Sequence, residues 1–490
     1  MKLISFAAQN FKSIGVNAGT LTISPITVLV GENGAGKSAI LQAMAFVAQR
    51  ARKLGAFSLD GDFVGFSDPT EIAHMASLGS EVSFRLGFAL EGEEKRTVDD
   101  VLTWLRVGEL KYPDMAAAAG LTEAGDSSLT RADLGALLSN IKSCVGELVR
   151  DRSVLLEVVL NLASNERTIT VLTGSGRPLW RCTSNKFMLM TDEGSLEGNF
   201  VNGGEPFFSS ALSVAIDENR LFISTVEHQG AQRNLSRRTL PDQFQLAYKT
   251  YTAIERGMLA ALRTVFYLAA PRLTLESRVA VGDSPPDWVG RDAVQLVRFL
   301  TNLQRDRARK PAYEAVREWS AKFNLTDINA GSDGTSTLHV DYEDSTLKMN
   351  VGARGTGYGS AQVLPIIVQG AAGPEHSVLV VEEPEISLHP NAQLALLEMF
   401  ARFVQSGHRI VFSTHSATML MGLGRMVEKG LKASDIAVYE VTKTSTGSSY
   451  VQKKLNKEGF IEGWVDSFAA AEEHILASWL NSVPEEPDKA

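Results

Sequence analysis

The sequence lacks abundant cysteine, long apolar runs and an excess of positive charge, and each absence excludes a class of protein. Its 490 residues include two cysteines, Cys144 and Cys182, without a CxxC pair. This usage suits a reducing compartment and excludes a cysteine-built zinc site. No apolar run reaches the roughly 18 residues of a membrane span, because the longest, 258–273, contains two arginines and a proline. The net charge of −9 argues against a chain coated in nucleic acid.

The chain has enough apolar residues for two or three packed lobes, since 44% of its residues are hydrophobic. Residues 1–6 lack the charged-then-apolar layout of a signal peptide and are predicted to form a first strand. We therefore expect a soluble, cytoplasmic protein that does not bind a membrane.

A buried strand is predicted at residues 26–30, and it ends directly at a glycine-rich loop. A helix follows the loop. Its apolar residues recur at the i, i+1, i+4 and i+7 spacing of one helix face, and they are Ile40, Leu41, Met44 and Val47. Strand, glycine loop and helix in this order are the setting that a phosphate-binding loop requires.

The loop itself has the P-loop pattern Gly31-x4-Gly36-Lys37-Ser38. Glycines let successive backbone N–H groups curl around a β-phosphate, Lys37 reaches the β- and γ-phosphate oxygens, and the Ser38 hydroxyl holds Mg²⁺. An ordinary glycine-rich turn is the alternative, which the flanking strand and helix disfavour. The pattern predicts ATP and Mg²⁺ as cofactors, with the nucleotide bound by Asn33, Gly34, Ala35, Gly36, Lys37 and Ser38.

A second buried strand, 378–381, ends in two adjacent carboxylates, Glu382 and Glu383. Such a strand delivers one acid to the Mg²⁺ shell and the next to a water molecule. We therefore predict that Glu382 is a metal ligand and that Glu383 is the catalytic base. Two solvated acids after a buried strand are the alternative.

Two further segments are candidates for phosphate contact. The glycine-rich stretch 350–365 precedes a predicted helix, and backbone amides in that setting can bind a second anion. His415 directly follows an apolar strand at 409–413, where it could contact a γ-phosphate. A satisfied buried histidine is the alternative, and the Ser-Thr-His-Ser setting favours the phosphate contact.

The middle of the chain has a different character, with alternating apolar strands at 82–88, 153–162, 167–172 and 179–182. This pattern predicts an antiparallel lobe inserted into the nucleotide-binding sheet. The predicted division has four parts: the first part of the head at 1–54, the β-rich lobe with helices at 55–280, a helical section at 281–345, and the second part of the head at 346–490.

The order of these motifs resembles the ABC-type ATPases of the SMC/RecF/OLD-like group. The resemblance is carried by the P-loop, a distant signature loop, Glu-Glu-Pro-Glu-x-x-Leu-His-Pro at 382–390 and Ser-Thr-His-Ser at 413–416, and it covers residue 10 to the end. Within that group the chain is most similar to the compact ATPases, without long coiled coils, of bacterial anti-phage systems such as PARIS, Septu and Gabija. The resemblance implies an α/β ABC-type ATPase head with an inserted antiparallel β-rich lobe and a helical section.

The resemblance also implies partners and a shared site. Two heads would pair as a homodimer or higher oligomer, with ATP between one P-loop and the partner's signature residues, namely Gly357, Gly359, Ser360 and Gln362. The implied role is a sensor or scaffold that controls a separate effector protein encoded nearby. A RecF-like ATPase of DNA repair or chromosomes, which binds DNA, is the alternative. A transporter's nucleotide-binding subunit and a small-molecule kinase fit less well.

The sequence departs from the group's pattern at several positions, and these departures limit which residue roles the resemblance implies. The signature is not Leu-Ser-Gly-Gly-Gln, Glu382 replaces the commoner aspartate, and no Q-loop glutamine is assigned. The residues after His415 contain no acidic cluster of a Toprim nuclease, so a nuclease would have to come from another chain.

Several basic residues lie outside these motifs. Ala270-Pro271-Arg272 resembles a Pro-Leu-Arg element of the group, whose arginine lies near the nucleotide or the lobe junction. A phosphate-binding surface is predicted from a set of basic residues, and solvated faces are the alternative; the set is Arg233, Arg237, Arg238, Arg305, Arg307, Arg309 and Lys310.

Overall fold

The structure is a computed structural model. It describes residues 1–52, 59–76, 81–100, 142–164, 166–183, 186–191, 194–199, 222–228, 231–239, 242–272, 278–282, 284–334, 336–344, 348–352, 357–463, 465, 466, 468 and 478. For most of 186–252 only the backbone is described. The sequence also predicts an amphipathic helix near 468–480 and a frayed tail at 484–490, and both lie almost entirely outside the described residues.

The strands and helices are numbered in chain order. The strands are β1 Lys2–Gln9, β2 Leu21–Thr22, β3 Ile26–Val30, β4 Glu81–Ala89, β5 Ser153–Asn161, β6 Glu166–Thr173, β7 Pro178–Thr183, β8 Lys186–Thr191, β9 Gly194–Asn199, β10 Phe222–His228, β11 Ala231–Thr239, β12 Val265–Leu268, β13 Arg278–Ala280, β14 Thr326–Asp333, β15 Thr337–Glu343, β16 Asn350–Gly352, β17 Val378–Glu382, β18 Arg409–Thr414, β19 Ile436–Thr444 and β20 Gly447–Lys453. The helices are α1 Lys37–Arg52, α2 Asp242–Arg263, α3 Leu296–Arg305, α4 Lys310–Ala321, α5 Tyr358–Ala372, α6 Pro390–Gln405, α7 Ala417–Met421 and α8 Leu423–Glu428.

The chain divides into two compact units. The first contains 1–22 and 42–265, and the second contains 23–41 and 266–490. These units do not follow the predicted boundaries at 54, 280 and 345. The reason is that β1 pairs with β4 over most of its length, from Lys2 opposite Ala89 to Gln9 opposite Ser83, so the N-terminal strand folds with the β-rich lobe.

An antiparallel sheet forms the first unit, as the alternating sequence predicted. Its described strands run in the order β11-β10-β9-β8-β7-β6-β5-β4-β1-β2. Strand β5 shows why these residues form strands, because its side chains alternate between buried and half-buried along its whole length, the period of two of a pleated strand. One face packs on an aromatic cluster in which the Phe11 ring lies 5.5 Å from Phe84 and 6.0 Å from Phe46.

A mostly parallel sheet is the centre of the second unit, with the strand order β12-β17-β18-β3-β19-β20. Strands β17, β18, β3 and β19 are parallel neighbours, and β20 is antiparallel to β19. All five residues of β3 and all five of β17 are buried, as expected where helices cover both faces of a parallel sheet. The α/β fold with an antiparallel β-rich lobe is confirmed.

A smaller antiparallel sheet, β13-β15-β14 with β16 paired to β15, completes the second unit. Two of its strands, β14 and β15, lie in the section 281–345, which was predicted to be helical, and β13 and β16 lie on either side of that section. Helices α3 and α4 precede β14 within the section. The strand period is visible in the buried Leu338, Val340 and Tyr342, which alternate with half-buried residues.

Apolar helices long enough to cross a bilayer are missing from the described part of the chain.

Candidate functional site

The parallel sheet brings three predicted motifs to one edge. Strands β17, β18 and β3 lie side by side, with Glu382 in register with Ser413 and Thr414 in register with Val30. The P-loop therefore begins at the end of β3, His415 follows β18, and Glu383 follows β17. Ligands of open α/β sheets bind at the carboxyl ends of the strands, so this edge is the candidate site.

The glycine loop has the backbone of an anion cradle. Gly31, Gly34 and Gly36 all have positive φ, at 151°, 76° and 112°, a region that side chains disfavour. At Gly31 a side chain would also overlap with the carbonyl oxygen of Val441. The Ile40 N–H donates to the Gly36 carbonyl at 3.2 Å, the first hydrogen bond of the i to i−4 pattern of α1. The backbone N–H groups that precede Ile40 at the start of the helix have no intrahelical acceptor.

Lys37 is held inside the loop. It is 4% exposed, and its Nζ donates to the carbonyl oxygens of Gly31 at 2.8 Å and Glu32 at 2.9 Å. Burial lowers the pKa of Lys37 to about 8, against the opposing effect of Glu383 and Glu385. Among the described residues, Lys37 Nζ makes its hydrogen bonds to neutral carbonyls. It can exchange them for phosphate oxygens, which form stronger charge-assisted hydrogen bonds.

The two carboxylates at the end of β17 have different surroundings. Glu382 is 7% exposed, and its Oε1 accepts a hydrogen bond from the Tyr267 hydroxyl at 2.7 Å. Glu383 is more open, with a side chain 38% exposed, and it has a positive φ of 39°. Its N–H donates to the Ser413 carbonyl at 3.1 Å, which fixes the turn. The structure thus separates a buried carboxylate from one that faces solvent.

His415 lies beside Glu383. The distance from His415 Nε2 to Glu383 Oε1 is 3.7 Å, so the two groups are neighbours without a direct hydrogen bond. Burial lowers the pKa of His415, the charge of Lys37 lowers it further, and Glu383 opposes both. The imidazole is therefore mainly neutral near pH 7, in a form that can both donate and accept a hydrogen bond.

Glu385 is a site residue to which the motif analysis gave no role. It is 8% exposed, and its Oε1 accepts hydrogen bonds from the Thr414 hydroxyl at 2.5 Å and the His415 N–H at 2.9 Å. Its Oε2 is buried and has no hydrogen-bond partner among the described residues. Burial raises the pKa of Glu385 above its ordinary value. Glu385 ties the loop after β17 to the end of β18. The third acid of Glu-Glu-Pro-Glu was the sequence signal that could have indicated it.

The signature residues begin α5, and residues 353–356 of that loop lie outside the described part. Gly357 is the N-cap and is exposed. Gly359 is half-buried, and a side chain there would overlap with the Ser387 carbonyl oxygen. The Ser360 hydroxyl donates to the Phe323 carbonyl at 3.0 Å. The start of α5 is therefore accessible at Gly357 and packed from Gly359 onwards.

Gln362 is a correction to the predicted site. It was predicted to contact the nucleotide of another subunit, but it is 0% exposed and its amide is bonded within its own chain. Its Oε1 accepts from the Arg272 N–H, and its Nε2 donates to the Arg272 carbonyl, both at 2.7 Å. The turn of α5 directs this side chain inward, so it cannot reach a second subunit.

Arg272 lies at the centre of these contacts. It is 1% exposed, and within the described part of the chain its guanidinium donates to backbone carbonyls, those of Gln362, Ala269, Glu382 and Glu383. Burial lowers the pKa of Arg272 to about 10 although Glu385, Glu382 and Glu383 oppose this, so it is charged at neutral pH. The predicted position near the nucleotide edge agrees with these contacts.

The predicted basic surface is not assembled by the described contacts. Arg305 donates to the Ser332 hydroxyl at 3.2 Å, and Arg309 donates to the Ala372 carbonyl and lies over the Phe299 ring. The side chains of Arg233, Arg237 and Arg238 lie outside the described residues. The phosphate-binding surface remains a prediction.

A family model described as AAA ATPase domain matches residues 1–133 and 300–420, which together exceed half of the 490 residues. The chain belongs to the AAA ATPase domain family. The matched segments contain the P-loop, Glu382, Glu383 and His415, so the family assignment and the site geometry involve the same residues.

Solved structures of SMC heads are similar to this AAA ATPase domain protein at 10% identity. The SMC head domain from Thermotoga maritima covers 93% of this chain and 100% of its own, with a TM-score of 0.39. The Smc head domain with an extended coiled coil bound to the C-terminal domain of ScpA, derived from Pyrococcus furiosus, covers 98% and 99%, with a TM-score of 0.41. An SmcHead bound to the C-winged helix domain of ScpA covers 93% and 99%, with a TM-score of 0.45. These scores are too low to carry over partners. No curated protein matched the chain.

The residues of the site fit ATP and Mg²⁺. Three positive-φ glycines, a helix N-terminus and the Lys37 ammonium form a cradle for phosphate. The Ser38 hydroxyl at the start of α1 and the Glu382 carboxylate at the end of β17 are oxygen donors of the kind that Mg²⁺ prefers. These residues would hold the nucleotide and the metal.

Proposed function

We propose that this protein binds ATP with Mg²⁺ and hydrolyses it to ADP and phosphate. The observation that carries the proposal is the carboxyl edge of the parallel sheet, where an anion cradle with a buried lysine lies beside an exposed carboxylate, a buried carboxylate and a histidine. Family membership supports the same activity.

Each side chain has a distinct role in this proposal. Lys37 binds the β- and γ-phosphate oxygens, and Ser38 and Glu382 hold Mg²⁺, which neutralises phosphate charge when bound. Glu383 accepts a proton from the attacking water, because its carboxylate directly follows β17 and is the more exposed of the adjacent pair, with 38% of the side chain exposed. His415 hydrogen-bonds the γ-phosphate from the adjacent strand end.

Two substitutions test this assignment, with thermal melting as the check on folding. Lys37→Ala should abolish ATP binding, because the charge on the phosphates is lost. Glu383→Gln should keep ATP binding and lower kcat by roughly 10²-fold or more, because it removes only the base. Binding is measured with a fluorescent ATP analogue, hydrolysis by phosphate release, and folding by thermal melting. Normal ATP binding by Lys37→Ala, or normal turnover by Glu383→Gln, would show that the assignment is wrong.

The active site is proposed to be shared between two copies of the chain. The exposed N-terminus of α5, with Gly357 as its N-cap and Tyr358 46% exposed, would contact the nucleotide in the partner's P-loop. Gly359 and Ser360 would support this end, and Gln362 is no longer included. ATP would then bring two heads together, and hydrolysis would release them.

The cellular role we favour is a sensor or scaffold in a bacterial anti-phage complex, where the ATP-gated dimer controls a separate effector. Only the sequence resemblance supports this role, and a RecF-like ATPase that acts on DNA is the alternative. Double-stranded DNA added to the ATPase assay distinguishes them. Stimulation of kcat at moderate salt favours the DNA-binding role, and an unchanged rate favours the effector-controlling role.

A further inference from the structure

Arg272 and Gln362 form a closed arrangement that links two elements of the site. The Gln362 amide makes both of its hydrogen bonds to the Arg272 backbone, one to the N–H and one to the carbonyl. In return, Arg272 Nε donates to the Gln362 carbonyl at 2.7 Å. Three hydrogen bonds thus join α5 to the segment after β12 with no water-exposed member, since both residues are buried.

The terminal nitrogens of Arg272 form hydrogen bonds with the end of β17 and the residue that follows it. One terminal nitrogen donates to the Glu382 carbonyl at 3.0 Å and the other to the Glu383 carbonyl at 3.1 Å. These carbonyls belong to the two glutamates whose side-chain carboxylates the proposed function requires. Glu383 has a positive φ, which costs free energy for a residue with a side chain, so its turn depends on contacts such as these.

We propose that Arg272 and Gln362 are positioning residues that fix Glu383 relative to α5, the helix whose exposed end would contact the partner's nucleotide. The proposal rests on the proposed ATP hydrolysis. A guanidinium suits this task because it is planar, stays charged and offers five donors in fixed directions, whereas a lysine ammonium in its place cannot bond both Glu382 and Glu383 carbonyls with the same geometry. A shift of α5 would move the Glu383 turn through these hydrogen bonds.

The helix offers a matched control in Gln369. Gln369 lies on the same helix, is also 0% exposed, and its Oε1 accepts from the Val289 N–H at 3.1 Å. Among the described residues, no hydrogen bond joins the Gln369 side chain to β17 or Arg272. Replacing either glutamine by methionine removes a buried amide of the same size from α5. Gln362 loses two hydrogen bonds and Gln369 loses one, because Gln369 Nε2 has no hydrogen-bond partner among the described residues, so kcat is compared at a temperature well below the Tm of both variants.

Gln362→Met and Gln369→Met are compared by steady-state ATP hydrolysis, binding of a fluorescent ATP analogue, and Tm. Gln362→Met should lower kcat by about tenfold or more, since small misplacement of a catalytic group is costly, with KM and nucleotide affinity within about twofold of wild type. Gln369→Met should keep kcat near the wild-type value. Equal kcat in the two variants at matched Tm would overturn the proposal.

Arg272→Lys provides a second, independent variant, with Arg298→Lys as its control, because Arg298 is half-buried and its Nε also donates to a backbone carbonyl, that of Ala280 at 2.9 Å. The expected result is a kcat loss of about tenfold or more for Arg272→Lys alone, with ATP affinity retained in both. If Arg272→Lys keeps wild-type kcat, the guanidinium geometry is not needed and the proposal is wrong. Failure of the underlying function would look different, because wild-type protein would then hydrolyse ATP no faster than Glu383→Gln.

Discussion

At the scale of single residues, the site is organised by how its charges are buried. Lys37 and Arg272 are the buried cations, and Glu382 and Glu385 are the buried acids. Glu383 and His415 are partly open to solvent. The two groups proposed to contact the attacking water and the γ-phosphate, Glu383 and His415, are therefore accessible, whereas Lys37, which is proposed to bind phosphate from within the loop, is enclosed.

Lys37 predicts a pH dependence of ATP binding. Its charged form binds phosphate, and burial lowers its pKa to about 8 in the free protein. ATP affinity should therefore be constant below that pH and fall by up to tenfold per pH unit above it, until the pKa of the bound state is passed. A fluorescent ATP analogue titrated between about pH 7 and 9.5 measures this. An ATP affinity that does not change across this pH range would contradict the lowered pKa of Lys37.

The contribution of Lys37 to folding stability changes with pH in the opposite direction to its contribution to ATP affinity. Because the folded-state pKa of Lys37 is lower than the unfolded value of 10.5, burial of the charge costs stability below about pH 8. That cost disappears as the pH rises towards the unfolded value. The contribution of Lys37 to stability thus rises over the range in which its affinity for phosphate falls, and Tm recorded at each pH separates the two effects.

Glu385 predicts a contrast between two substitutions. Gln at 385 keeps an oxygen that can accept from Thr414 and His415, whereas Ala removes it and leaves a buried hydroxyl and N–H without an acceptor. Glu385→Gln should retain kcat within about threefold, and Glu385→Ala should lose about tenfold or more and roughly 1–3 kcal/mol of stability. Phosphate release and denaturant unfolding check both. A larger defect in Glu385→Gln than in Glu385→Ala would mean that the negative charge itself is required.

At the scale of elements, the site depends on how closely α5 packs on the loop between β17 and α6. Gly359 lies against the Ser387 carbonyl, and Ser387 itself has a positive φ of 59°. Both contacting groups are backbone, so neither can move aside as a flexible side chain would. This contact and the Arg272 hydrogen bonds connect the same two elements.

Gly359→Ala and Gly357→Ala test this packing as a pair. A methyl group at 359 would overlap with the Ser387 carbonyl, whereas at 357 it would meet no atom within 4 Å. Gly359→Ala should lower stability by about 1–3 kcal/mol, the usual cost of overpacking, and Gly357→Ala should leave it within about 0.5 kcal/mol. Urea unfolding of both variants measures the difference. Equal stabilities would show that α5 has room to move at this point.

The sequence predicted the parts of the site that are contiguous with a strand end. The P-loop, Glu382, Glu383 and His415 each follow a short buried strand, and parallel strands bring their carboxyl ends to one edge. Contacts between distant segments were not predictable in this way. The Tyr267 hydroxyl reaches Glu382 across 115 residues, and the inward direction of Gln362 depends on how α5 is rotated about its axis, which a glycine-rich start does not determine.

At the scale of the whole molecule, the proposed active site is incomplete in one copy of the chain. The P-loop and the exposed end of α5 are both present in the second unit, but the proposal assigns them to different nucleotides. Loss of either half should therefore inactivate a homodimer, for separate reasons. Two-fold symmetry makes this testable, because a mixed dimer contains one site built from two wild-type halves.

Gly357→Glu is the partner variant for Lys37→Ala in this test. At the exposed N-cap of α5, a glutamate would bring an unpaired carboxylate against the phosphates of the partner's nucleotide, and the repulsion should block closure. Its own P-loop is unchanged, so ATP binding should persist.

Mixing inactive Lys37→Ala with inactive Gly357→Glu should restore up to about a quarter of the wild-type ATPase rate, since about half of the dimers are mixed and each has one intact site. Subunit exchange is checked with differently tagged chains. If exchange occurs and the mixture stays as inactive as either variant, the site is contained within one chain and the shared-site proposal is wrong.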